Sequence, residues 1–299
     1  MNPYQYIEFT KEDRIATLVL NRPDKLNAIN DALLSDLMQA FHDIEKMPEI
    51  EVVIIKGKGR CFSVGQDLSG VGTDEVMPPD PRGKPYESET FEFARRQFQR
   101  WRSIVDYPRF TIAQVHGYCL GAGLDLAMCC KTVICAEDAV FGDPSIRLGY
   151  APHNPLWTWR VGLKKAKELL LTGNYIGAKE AERIGLVMRT VPPDKLDEVV
   201  HAEALTHLKL DAMGGFDLKV SWGQFHQSCF DIAGLSASWR LATNIYALSA
   251  IQRPTRSYID RGGFNFHKIR DEKGYKEAIS ERDKPFEAYS PIPRSKRGK

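Results

Sequence analysis

Apolar positions change period along the chain. Residues 5–9 and 14–20, including the run IATLVL, alternate or cluster β-branched residues, and they predict two strands turning near Glu12 and Asp13. Pro23 breaks that pattern in NRPDKLNAIN, where Asn30 and Asp31 offer helix caps. Leu33, Leu37, Ala40, Phe41 and Ile44 then recur at helical spacing. EVVIIKG predicts a buried strand and GKGRCFSVGQDLSG a glycine-rich loop. Residues 69–88 carry four prolines and three glycines and predict a mobile excursion. FEFARRQFQRWRSIV predicts a helix with Phe91, Ala94, Phe98, Trp101 and Val105 on one face, as core or pocket wall.

TIAQVHG predicts another strand, and short strands are expected near 132–136 and 139–141. Helices are expected at 162–172 and over AKEAERIG, then a strand at LVMRTV. After about residue 205 the strand signal fades, and 216–252 and 268–284 predict helices. The expected organisation is an alternating strand–helix core, 1–205, and a helical region, 206–299.

Composition narrows the function class. Of 299 residues, 41 are Lys or Arg and 39 Asp or Glu, a balance that argues against nucleic acid as the partner. A hydrophobic share of 43% supports a sizeable core. The start MNPYQYIEFTKED lacks the basic and apolar regions of a secretory signal, and no apolar run reaches the roughly 18 residues of a membrane span. Cys61, Cys119, Cys129, Cys130, Cys135 and Cys229 form no CxxC pair, so buried thiols in a reduced, cytoplasmic chain are expected. The basic end SKRGK reads as a solvated tail.

The chemistry concentrates in HGYCLGAGLDLAMCC, residues 116–130. After a strand, its glycines permit a tight turn, and the helix that follows leaves its first N–H groups without intrahelical acceptors. Such amides can hold an oxygen that becomes negative. FSVGQDL, residues 62–68, is a second glycine loop after a strand. Two loops giving one amide each make an oxyanion hole; two ordinary strand-to-helix turns are the alternative. A dinucleotide fingerprint fails because Leu126 fills the third glycine slot, and GKGRCFSVG lacks the ending of a phosphate loop.

FSVGQDL followed by AQVHGYCLGAGLDLAMCCKTVICAEDAVFGDPSIRLGYAP resembles the crotonase superfamily, the enoyl-CoA hydratases and isomerases. NRPDKLNAI, ELLLTGNYIGAKEAERIGLV and ERDKPF extend the resemblance in the same order over nearly the whole chain. The resemblance implies an α/β fold, a crotonase-type spiral of ββα turns with a helical C-terminal trimerisation region. It also implies a homotrimer or homohexamer and an acyl-CoA thioester substrate. The CoA arrives with the substrate; no membrane partner, metal or redox cofactor is expected. The resemblance puts the oxyanion-hole amides on Gln66 and Ala122, where many members have glycine at the second position. It lays Lys25, Leu26, Asp67 and Leu68 along the CoA, with Lys25 and Arg60 as phosphate partners by position alone.

The hydratases divide acid–base work between two glutamates. Here Asp125 stands at the first position and Ser145, in FGDPSIRLG, at the second. A serine is a poor acid or base without a partner but can position water. Asp143 could supply a carboxylate from a neighbouring direction, or simply cap a turn. An acid in a helix's first turn gains from the dipole whether or not it reacts; apolar neighbours would raise the Asp125 pKa into a useful range. The loop YAPHNPLWTW departs from the family and brings His153, a pocket acid–base candidate or a structural imidazole. His116 reads as a hydrogen-bonded strand-end residue.

Hydration of an enoyl-CoA with a bulky or cyclic acyl group is the leading expectation. Double-bond isomerisation, or C–C hydrolysis of a cyclic β-keto thioester or diketone through His153 or Asp143, is the alternative. A non-catalytic CoA-binding homologue is a third.

Overall fold

The computed structural model describes residues 3–69, 87–151, 154–211, 215–252, 264 and 266–289. The expected excursion at 69–88 therefore falls almost wholly outside the described residues, and His153 falls outside them too. The chain winds in repeating turns. β1 (Ile7–Glu12) and β2 (Ile15–Leu20) lead into α1 (Asp31–Glu45). β3 (Val52–Gly57) leads towards α2 (Glu87–Val105), and β4 (Phe110–Val115) with β5 (Tyr118–Leu120) leads into α3 (Ala122–Cys129). β6 (Thr132–Ala136) and β7 (Val140–Gly142) precede α4 (Leu156–Thr172). β8 (Tyr175–Gly177) enters α5 (Ala178–Arg183), and β9 (Arg189–Val191) precedes α6 (Leu196–Asp211).

Two sheets result, in the order β1-β2-β3-β4-β6-β9 and β5-β7-β8. The β1–β2 hairpin and the β7–β8 pair are antiparallel, and the other pairs are parallel. In the turns β4–β5 and β6–β7 the first strand enters the large sheet and the second enters the small one, while β1, β2 and β3 all lie in the large sheet; the winding is the expected spiral. The large sheet is covered on both faces, as parallel sheets require. One face packs with α1–α4 around Leu18, Val53, Phe62, Ala113 and Leu126. The other presents Ile15, Val52, Ile54, Ile112 and Ile134 to Leu196, Val200, Ala204 and Leu208 of α6.

Local signals account for several boundaries. Asn30 caps α1 by accepting from the Leu33 amide at 2.9 Å. α4 begins six residues before the expected start at 162, because Gly162 (φ 76°) joins two helical pieces across a kink. The expected helix at 216–252 is two, α7 (Gly215–Ile232) and α8 (Leu235–Gln252), separated at Gly234. α9 (Phe266–Lys273) and α10 (Tyr275–Asp283) likewise part at Gly274. Phe91 departs from the expected buried face of α2: it is 36% exposed, and Ile104 is buried in the core instead. α6 runs continuously through residues 205 and 206.

α10 is anchored by buried charge. The Arg147 side chain, 1% exposed, donates to Asp283 at 3.1 Å, and Arg282 donates to the same carboxylate at 2.9 Å. Arg147 also donates to the Thr172 carbonyl and to Asn174, and lies over the Phe286 ring at 4.2 Å. Burial opposes the Asp283 charge, but Arg282 and Arg147 outweigh it and hold the carboxyl below its usual range. We expect Asp283→Ala, which strands two buried guanidinium groups, to cost about 3–5 kcal/mol, read by urea and thermal unfolding. For a depressed carboxyl the contribution is present above the unfolded-state pKa, near 4. It is lost as pH falls through the lower folded value, so the wild-type advantage shrinks in acid.

Candidate active site

The site begins where two strand ends are stitched together. After β3, the chain pairs with the chain after β4: the Phe62 amide donates to His116 O (2.9 Å), Ser63 to Tyr118 O (3.0 Å) and Leu120 to Ser63 O (3.0 Å). A third segment joins them. Buried Asn27, in the left-handed region at φ 53°, donates through its side chain to Lys58 O and Cys61 O, both at 2.9 Å. The Ser63 hydroxyl donates to Asn27 O at 2.7 Å. His116 contacts Gly59 O through Nε2 at 2.8 Å, so it is the strand-end residue expected.

Two glycines set how closely the loops approach. A Cβ on Gly65 (φ 98°) would stand 2.7 Å from Leu120 O and 3.3 Å from Ala122 N. A Cβ on Gly123 would stand 2.7 Å from Ser63 Cβ. The backbones of the two loops thus meet at Gly65 and the start of α3. The Ile29 amide donates to Gly65 O and the Asp67 amide to Ile29 O, a parallel bridge that turns the Gln66 amide the other way. Ala122 opens α3, so its amide lacks an intrahelical acceptor. It is absent from the non-glycine residues with positive φ, so alanine serves there as glycine would. Gln66 and Ala122 line one cleft, together with Phe93, Gln97 and Trp101 of α2 and Thr243 and Tyr246 of α8.

All eight residues of α3 are buried, as the apolar sequence around Asp125 dictates. Asp125 is 2% exposed. Burial raises its pKa well above the ordinary carboxylate value, and the nearby charge of Asp143 raises it further, against hydrogen bonding from Asn154. The helix N-terminus pulls the other way, and desolvation wins. Asp143, 5% exposed, accepts at Oδ1 from the Ser145 amide (3.0 Å) and the Ser145 hydroxyl (2.5 Å), capping the short helix Pro144–Leu148. That Oδ1 lies 3.9 Å from where a Cβ of Gly121 would be. Asp125, Asp143 and Ser145 therefore gather beside the glycine turn. Asp125, Asp143 and Ser145 are not among the residues that line the cleft.

The expected CoA-side residues divide. Lys25 and Arg60 are exposed on adjoining turns, brought together where Gly59 packs on Pro23. Leu26 is half-buried at φ 51° and Leu68 is half-buried. Asp67 instead ties loops together: it pairs with Arg22 at 2.9 Å and accepts from Ser69. Sequence reasoning missed Gln97, Thr243 and Tyr246, since nothing in their local pattern shows that α8 folds over α2.

A family profile described as enoyl-CoA hydratase/isomerase matches residues 10–212. A protein of Mycobacterium bovis named "probable enoyl-CoA hydratase" is 35% identical over 214 residues, 70% of this chain and 77% of the relative. A crotonyl-CoA hydratase of Syntrophomonas wolfei is 35% identical over 197 residues, 64% of this chain and 72% of the relative. The crystal structure of an enoyl-CoA hydratase from Mycobacterium smegmatis superposes with TM-score 0.80 at 26% identity, covering 94% of each chain.

A buried acid with a raised pKa destabilises the fold once ionised, so its stability contribution is full below the unfolded-state pKa and lost as pH rises through the folded one. Asp125→Asn should therefore raise Tm at pH 8 by at least about 2 °C. The gain should vanish below about pH 4. Differential scanning calorimetry across pH checks both ends.

Proposed function

This chain belongs to the enoyl-CoA hydratase/isomerase family, and on that premise we propose that it adds water across the 2,3 double bond of an enoyl-CoA whose acyl group is bulky or cyclic. It is an enzyme of hydratase type, with an acyl-CoA thioester as substrate. The observation that carries the proposal is that Gln66 and Ala122 line one cleft, while Asp125, with Asp143 near enough to raise its pKa, lies buried on the helix that Ala122 opens. In this reading the amides hold the thioester oxygen as it becomes an enolate oxygen. Burial favours the neutral form of Asp125, which suits it to deliver a proton to C2. Asp143, already accepting two hydrogen bonds from Ser145, takes the proton from the water that adds at C3. Ser145 then orients Asp143 rather than standing in for a glutamate.

Three cleft aromatics, Phe93, Trp101 and Tyr246, support a ring or branched acyl group over a short linear one. The exposed turns bearing Lys25 and Arg60 suit the CoA phosphates. Isomerisation is the rival, because Asp143 is engaged by Ser145 and a single acid, Asp125, suffices to shuttle one proton.

Self-association belongs to the same proposal. Phe225, Phe230, Ile232, Leu241, Ile245 and Leu248 of α7 and α8 are exposed, and such an apolar surface suits burial between copies. We expect light scattering to give three or six times the chain mass. The six cysteines are free and five are buried, which fits a reducing compartment such as the cytoplasm. Among the described residues no helix is long and apolar enough to cross a membrane.

Mass spectrometry of products from a panel of enoyl-CoAs tests the reaction. A hydroxyacyl-CoA, gaining one water with the thioester retained and assigned by fragmentation, is expected. Its formation should fall about 10²–10⁴-fold in Asp125→Asn and in Asp143→Asn. A ring-opened acid would overturn hydration, and equal rates with crotonyl-CoA and bulky enoyl-CoAs would overturn the acyl assignment. Gly65→Ala, which presses the two loops apart, should lower kcat by about 10² or more while the protein stays folded by circular dichroism.

A further inference from the structure

Phe93, Gln97 and Trp101 are spaced four residues apart on α2, so they form one stripe along the helix and face the same cleft. The stripe runs from half-buried Phe93 to Trp101, 2% exposed, with an amide between two aromatic rings. An alkyl chain would ask for leucine there. Among the described residues no hydrogen bond reaches the Gln97 side chain. Thr243, on α8, faces the same cleft; its hydroxyl donates to Trp239 O at 2.9 Å, which leaves the oxygen as an acceptor. An apolar acyl group seated here would strip water from the Gln97 amide and return nothing, a costly exchange.

We propose that this cleft selects an acyl group bearing its own oxygen function, a ketone or hydroxyl, which Gln97 reads through its amide beside Thr243. A ketone accepts from the Gln97 NH₂. A hydroxyl accepts from it as well and donates to the Thr243 oxygen. The inference rests on the acyl-CoA reading of the site and narrows its substrate class. Gln97 and Thr243 are specificity residues and leave the proton transfers to the acids.

The test compares three enoyl-CoAs with one cyclic carbon skeleton, carrying a methylene, a ketone or a hydroxyl at the same ring position. For wild type, kcat/KM should favour an oxygenated substrate over the methylene one by about tenfold or more. Gln97→Leu should cut that ratio at least tenfold, and Thr243→Val should lower the hydroxyl substrate's advantage while sparing the ketone's. The readout is a ratio within one preparation, so partial unfolding lowers all rates and leaves it unchanged. Equal rates for the three substrates in wild type, or a preference that survives Gln97→Leu, overturn the proposal. If isothermal titration shows that none of the three thioesters binds, the acyl-CoA reading fails and this inference fails with it.

Discussion

The chain depends on a short backbone clamp. Three amide–carbonyl hydrogen bonds join residues 62–63 to residues 116–120, at the ends of two neighbouring parallel strands. The spiral makes the clamp possible, because successive turns bring equivalent strand ends side by side. Glycine makes it tight: any Cβ at 65 or 123 would fall inside the van der Waals radius of the facing loop. Both amide donors are thus fixed by main-chain geometry, and neither needs a particular side chain. That is why Ala122 can replace glycine without loss of a donor, while Gly65 has no such freedom.

The same architecture creates a conflict at Asp125. α3 is short, central and wholly buried, so it supplies rigid amides at its N-terminus and a dry wall behind them. An acid in that wall is stabilised by the helix end and penalised by the loss of water; the penalty is larger. In the proposed reaction that cost falls where a carboxyl that keeps its proton serves the chemistry. Elsewhere the fold uses the opposite arrangement. Asp283 is buried between two arginines and stays ionised, and there burial serves attachment of α10 to the segment bearing Asp143 and Ser145.

How much of this was legible depends on the range of the interaction. The glycine loops, Asp125 and the caps at Asn30 announce themselves within a few residues, because turn and helix-end chemistry is local. The three-residue strands β5 and β8 carry no strand signal of their own, whereas β7 and β9, equally short, lie where strands are expected. The helical breaks at Gly234 and Gly274 were visible only as glycines inside otherwise continuous patterns. Phe91 fits the spacing that Ala94, Phe98 and Trp101 set, yet it is 36% exposed while Thr90 beside it is buried. The bridge between Arg147 and Asp283 and the cleft that Thr243 and Gln97 both line join elements more than a hundred residues apart, and single-sequence pattern carries no such information.

Replacing glutamate by serine at position 145 need not delete the second acid; it can move it. Asp143 already has a structural task, accepting the Ser145 amide to start a helical turn after Pro144. A cap carboxylate has a fixed orientation, two acceptor oxygens and only one of them used by the turn. The Ser145 hydroxyl also bonds to Oδ1, not Oδ2. In the proposed reading the second oxygen is the part of this cap that holds a water, two residues upstream of where the hydratases keep their second glutamate. An aspartate at 125 is shorter by one methylene than glutamate, which in the proposed reading leaves room for water or for a larger acyl group. The aromatic lining on α2 and α8 suits the second under the proposed reading, which would make the acids and the cleft one change in what the site holds.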